Sequence, residues 1–212
     1  MIKEFEKRLL SSFILIPIAI FFIIQGSVFF IFFLSILFLA SSYEWFNMSK
    51  KNILLKLSGI IFLLFSFYTA FELREKYNLE SFLVIIVICI FTDIGGYVFG
   101  KTFKGPKLTK ISPQKTYSGV IGSFLLSLMA GLILINYLSE DMVNLDVYAL
   151  PVVLVILLIS LISQLGDLII SYFKRKAKLK DTGKILPGHG GLLDRIDGMI
   201  FVFPIYYIIT IL

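Results

Sequence analysis

Long apolar runs, repeated along the chain, limit most tightly what it can fold into. They fall at about 9–25, 27–43, 53–71, 81–99, 117–137, 147–173 and 196–212, and they carry almost no charge. A helix rises about 1.5 Å per residue, so runs of this length suit a hydrocarbon layer about 30 Å thick. With 58% of residues hydrophobic and Phe (22) outnumbering Lys plus Arg (20), a water-soluble core could not hide the apolar surface. The predicted fold is all-α: a polytopic integral membrane bundle of about seven transmembrane helices, forming one domain without a soluble appendage. The weakest pair is the first two runs, because the link "IIQGSV" is very tight. A helical hairpin that barely crosses also fits there.

Lys and Arg locate the loops. Three stand in the N-terminal tail, none after the first run, three after the second (Lys50, Lys51, Lys56) and two after the third (Arg74, Lys76). Five follow the fourth run (Lys101, Lys104, Lys107, Lys110, Lys115), none the fifth, and seven the sixth (Lys174, Arg175, Lys176, Lys178, Lys180, Lys184, Arg195). Alternate loops therefore hold eighteen against two. Cytoplasmic loops are the Lys/Arg-rich ones, so the N-terminus is expected in the cytosol and the C-terminus outside. Residues 1–80 are then N-terminal helices. Residues 81–212 form the working region, with cytosolic loops at 100–116 and 174–195.

The net charge of +6 fits lysines at a membrane surface better than nucleic-acid binding. Cys89 stands inside an apolar run and reads as a small buried hydrophobe. The charged start and apolar run of "MIKEFEKRLLSSFILIPIAIFF" resemble a signal peptide. No A-x-A-like cleavage site follows it, so it is read as a retained first helix.

Acids inside such a chain need a partner or a task, because a charge in the bilayer costs on the order of 3 kcal/mol or more. Asp93 in "CIFTDIGGYVFG" lies roughly 10 Å inside the expected cytosolic boundary. Gly95, Gly96 and Gly100 follow it and would let another backbone come close. On the sixth run, Ser160, Ser163, Gln164, Asp167, Ser171 and Lys174 recur at helical spacing and form one polar stripe. Such a stripe can simply join helices, but hydroxyls and an amide would suffice for that without Asp167. Asp194 and Asp197 in "LLDRIDG" are three apart and are expected to share a face at the start of the last helix, where acids also suit the helix dipole. Four acids near one face make a hard, oxygen-rich cluster that favours Mg2+, with a second cation left open.

Around the acids lie cations and glycines. "LPGHGG" is too rich in glycine for ordinary helix and can bring backbone N–H groups to an anion. His189 within it reads first as a loop hydrogen-bonder. "ISPQKTYSG" (111–119) looks like a helix start, with Ser112 capping and Pro113 in the first turn. Lys115 and Thr116 would then sit at the helix mouth. Polyphosphate, Mg2+ and lysines at a membrane surface suggest phosphoryl or nucleotidyl transfer. An ion-coupled transporter also uses intramembrane acids, although no internal repeat is visible here.

The stretch "SYFKRKAKLKDTGKILPGHGGLLDRID" (171–197) resembles the signature of the phosphatidate cytidylyltransferases. "SQLGDLIIS" and "TDIGGYVFGKTFKGPKLTKISPQKT" upstream are similar to that family too, so the likeness covers about residues 91–205. It implies that CTP and phosphatidic acid give CDP-diacylglycerol and pyrophosphate with Mg2+, in a bacterial inner membrane with the site facing the cytosol. It further implies Asp167 and Asp194 as metal and catalytic carboxylates, closely supported by Asp197 and Asp93. Lys180 and Arg195 join the catalytic set. Lys115, Lys174, Arg175, Lys180 and Arg195 would contact phosphate, Ser112 and Thr116 the nucleotide, and Asp181, His189, Gly190 and Gly191 complete the substrate-binding set. Membrane lipids are expected partners, and homodimerisation stays open.

Two positions depart from the family pattern. Ser118 and Ile170 stand where bacterial relatives usually carry Glu, so either those acids are auxiliary or the metal environment is reduced. Other options keep the site but change the acceptor to a polyprenol or ether lipid, or make the chain a non-catalytic homologue.

Overall fold

The computed structural model describes residues 2–49, 52–109, 111–138, 150–186, 188 and 190–211, with side chains from residue 13 onward except that of residue 150. His189 and Pro187 lie outside the described residues. The described chain is helical and has no strand. Its helices are α1 (Ile2–Gln25), α2 (Ser27–Met48), α3 (Ile53–Glu72), α4 (Leu79–Phe103), α5 (Tyr117–Leu138), α6 (Leu150–Lys176), α7 (Leu193–Ile196) and α8 (Met199–Ile211). A π-turn, Leu73–Tyr77, continues α3.

Five stretches are long and apolar enough to cross a membrane: Ser27–Met48, Ile53–Tyr77, Leu79–Phe103, Tyr117–Leu138 and Pro151–Lys176. Phe13–Gln25 and Met199–Ile211 are shorter apolar helices. The last apolar run is therefore not one helix from 196. It breaks after α7, where the Asp197 carboxylate accepts the Gly198 N–H at 2.9 Å and α8 starts afresh. Asp194 and Asp197 accordingly do not share the first turn of one long helix.

The chain forms two compact units. The first joins residues up to Leu79 with those from Phe173 onward. Its opening hairpin turns on one residue, Gly26, whose φ is +66°. The Arg74 guanidinium fills the space a side chain there would need. Arg74 Nε and Nη2 donate to the Ile23 and Ile24 carbonyls at 3.0 and 2.9 Å, satisfying the end of α1. The Glu75 carboxylate accepts the Ser27 N–H at 2.8 Å, which satisfies the start of α2. "IIQGSV" is thus a one-residue break between two helices held from the π-turn. α3 starts at Asn52, whose side chain accepts the Leu55 N–H. Trp45 of α2 donates to the Leu55 carbonyl at 3.0 Å and lies where any side chain at Gly59 would stand. Phe62 of α3 meets Phe201 of α8 with ring centroids 4.7 Å apart.

The second unit spans Glu80–Tyr172. In it α4 and α5 cross at backbone contact. A Cβ on Gly95 would run into the Gly122 carbonyl, and one on Gly119 would come 2.8 Å from the Gly96 carbonyl oxygen. The glycines after Asp93 do what small residues do between membrane helices. Hydroxyls join the three helices of this unit. Ser123 of α5 donates to the Thr92 carbonyl at 2.7 Å, and the Thr92 hydroxyl of α4 donates to Ser160 of α6 at 2.9 Å. The upper part of the polar stripe is thus helix-joining, and only its lower part carries charge.

Candidate active site

Within the second unit, the loop ahead of α5 is a small hairpin. Leu108 N–H donates to the Lys115 carbonyl at 2.8 Å, and Tyr117 N–H donates to the Pro106 carbonyl at 3.2 Å. This pairing delays the start of α5 to Tyr117. The cap is therefore Thr116, whose hydroxyl accepts the Gly119 N–H at 3.1 Å, and not Ser112 as the sequence suggested. The Ser112 carbonyl instead accepts the Lys115 N–H and closes a turn. Its own N–H donates to the Thr109 hydroxyl. Ser118, read as a departure from the family pattern, donates to the Lys104 carbonyl and helps tie the hairpin down.

The hairpin delivers Lys115 to α6. Its ammonium lies 2.5 Å from Asp167 Oδ2, and both side chains are about a quarter exposed. It also reaches the Gln164 carbonyl, at 3.5 Å. The Ser171 hydroxyl, one turn on, donates to Asp167 Oδ1 at 3.2 Å. Asp167 is therefore a charge-compensated carboxylate that the protein only partly encloses. Ile170, read as the other departure from the family pattern, is buried. Asp93 lies on an exposed part of α4, next to buried Thr92.

The first unit holds a separate constellation around Asp194. Lys174 Nζ donates to Asp194 Oδ1 at 2.7 Å, with side chains 10% and 8% exposed. Asp194 Oδ2 accepts the N–H groups of Thr182 at 2.8 Å and Gly191 at 3.1 Å. The loop between them is pinched once more where Leu186 N–H donates to the Gly190 carbonyl at 3.0 Å. Gly190 has φ +88°, a left-handed conformation that favours glycine. A side chain there would come within 3.4 Å of both Asp181 and Asp194. Lys180, Asp181, Arg175 and Arg195 are exposed, whereas Asp197 is buried. The glycine-rich segment is thus a closed loop gathered around one aspartate, with cations on its outer surface.

Glu44 was not read from the sequence. Its carboxylate, 1% exposed, accepts the Thr182 hydroxyl and the N–H groups of Leu192 and Leu193. The available signal was a lone acid, "SSYEWF", just past the second apolar run. Its partners are far away in sequence and gave no hint of it.

Both central aspartates face a lysine ammonium, and their donor sets are oxygen. Those ammonium groups occupy ground that a hard cation could take, so the residues fit Mg2+ chemically. Among the described residues no three His, Cys, Asp or Glu side chains gather to hold a metal.

Comparison with known proteins agrees with the signature. Residues 52–212 match the model of the family described as "Cytidylyltransferase family". A phosphatidate cytidylyltransferase of Rickettsia felis is 34% identical over 214 residues, covering 97% of this chain and 92% of that protein. The one from Rickettsia bellii is also 34% identical, covering 96% and 89%. That of Staphylococcus haemolyticus is 42% identical over 146 residues, covering 68% of this chain and 53% of its own.

Proposed function

The chain belongs to the cytidylyltransferase family, and from that premise we propose that it is a membrane enzyme transferring the cytidylyl group of CTP to phosphatidic acid. The observation that carries this is the near end-to-end likeness to relatives bearing that activity in their name. A phosphate oxygen of the lipid attacks the α-phosphorus of CTP. One P–O bond forms, the bond to the β-phosphate breaks, and CDP-diacylglycerol and pyrophosphate result. A phosphate monoester is largely ionised near neutral pH, so the attacking oxygen needs no strong base.

The chain's own task is to compensate and orient charge. Lys115 and Lys174, each drawn up against an aspartate, are the cations we assign to the phosphates of the bound nucleotide. Exposed Lys180, Arg175 and Arg195 attract anions to the loop surface, together with Asp181 and the Gly190–Gly191 amides. Thr116 and Ser112 shape the hairpin that presents Lys115. We assign Asp167 and Asp194 as the residues that would hold Mg2+, each in its own unit. When bound, the ion neutralises phosphate charge and polarises the reacting phosphoryl group. The basic loops are assigned to the cytosolic face, where CTP is made available, and the lipid acceptor reaches the enzyme from the membrane.

The acceptor is tested with purified protein in detergent, given CTP and Mg2+ with phosphatidic acid, a polyprenol or an ether-linked lipid in turn. Phosphatidic acid is expected to support turnover at least about tenfold above the others. Preference for a polyprenol would overturn the assignment of substrate while leaving the nucleotide chemistry in place.

A further inference from the structure

Glu44 is the only charged residue of α2, and its carboxylate is 1% exposed. Among the described residues, the three groups that hydrogen-bond to it are all donors. Glu44 Oε1 accepts the Leu192 N–H at 2.9 Å. Oε2 accepts the Leu193 N–H at 2.9 Å and the Thr182 hydroxyl at 2.8 Å. The two amides lead into α7, and Thr182 stands at the other end of the glycine-rich loop. Thr182 is shared: its hydroxyl goes to Glu44 while its backbone N–H goes to Asp194. Two carboxylates therefore hold the same loop, one from α2 and one from α7. The glycines fit this arrangement. A Cβ on Gly183 would run into the Glu44 carboxylate, and one on Gly191 into both Thr182 and Glu44. Glu44 precedes residue 52, where the match to the family model begins.

We propose that Glu44 is a positioning residue of the transfer site. From α2 it clamps Thr182 and the Leu192–Leu193 amides, and thereby sets the Asp194 carboxylate against Lys174. This rests on the reading that Asp194 serves the cytidylyl transfer. A carboxylate suits these three partners because each of them donates. Gln would turn an N–H2 group toward at least one donor and leave it unsatisfied.

The test uses full-length protein in detergent with CTP, phosphatidic acid and Mg2+. Glu44→Gln is expected to lower kcat by about tenfold or more with KM for CTP within about threefold, the pattern of lost positioning and not lost binding. Thr182→Ser, which keeps the hydroxyl, is expected to stay near wild type, while Thr182→Val falls as Glu44→Gln does. The double variant Glu44→Gln/Thr182→Val should be little worse than either single change. Exchange of the Leu192 and Leu193 amides should quicken in Glu44→Gln. Glu44→Gln with wild-type kcat, equal losses in both Thr182 variants, or fully multiplicative losses in the double variant would each overturn the proposal. If Glu44→Gln does not fold, the two Thr182 variants decide it. If the wild-type protein releases no pyrophosphate, the functional reading fails, and amide exchange still decides whether Glu44 holds the loop.

Discussion

Lys174 Nζ donates to Asp194 Oδ1 at 2.7 Å, and neither side chain is more than a tenth exposed. Removing one partner of a buried pair leaves the other charge uncompensated, at a cost of about 3–5 kcal/mol. Lys174→Met should therefore lower the thermal midpoint in detergent as well as abolish turnover. Lys174→Met/Asp194→Asn should recover part of the lost stability and none of the activity. A midpoint unchanged in Lys174→Met would show that the pair does not hold the loop.

Asp167 differs because it is about a quarter exposed and its partner Lys115 comes from a surface hairpin. Asp167→Asn should insert and fold while turnover falls by about a hundredfold or more. Lys115→Met should spare folding too and weaken CTP use. Near-wild-type rates in Asp167→Asn would mean that another carboxylate does this work.

The glycines at 183 and 191 stand where a Cβ would strike Glu44 or Thr182. Overpacking of this kind typically costs about 1–3 kcal/mol. Gly183→Ala and Gly191→Ala should both lower the thermal midpoint, with faster proteolysis in the 182–191 loop.

Thr116 caps α5 through the Gly119 N–H. Thr116→Val should cost about 1 kcal/mol, and Thr116→Ser little. Loss of the cap would also loosen the hairpin that carries Lys115, so kcat/KM for CTP should fall in Thr116→Val alone. Ser112→Ala should leave the midpoint of unfolding unchanged, since its side chain does not cap the helix.

Much of this arrangement can be read from the chain. Apolar runs announce most of the helices because lipid demands them. The spacing of Gly95 and Gly96 announces a close crossing because only small residues allow one. Asp167 and Lys115 stand out because ions in such a sequence are costly. The cap at Thr116 was hidden by the Pro106–Tyr117 pairing, a contact that displaces the helix start from the Ser-Pro signal. The break before α8 was hidden because Asp197 and Gly198 were read as part of an apolar run. Glu44 was least legible: its donors lie 138 and 149 residues away, and no local pattern joins α2 to the glycine-rich loop.

The most direct measurement is pyrophosphate release from CTP by the purified protein, with and without phosphatidic acid and with and without Mg2+, beside Asp167→Asn. Release should require the lipid and the ion together, yield CDP-diacylglycerol in equal amount, and be lost in Asp167→Asn. Release that ignores phosphatidic acid, or none from a folded wild-type protein, would contradict cytidylyl transfer to this lipid.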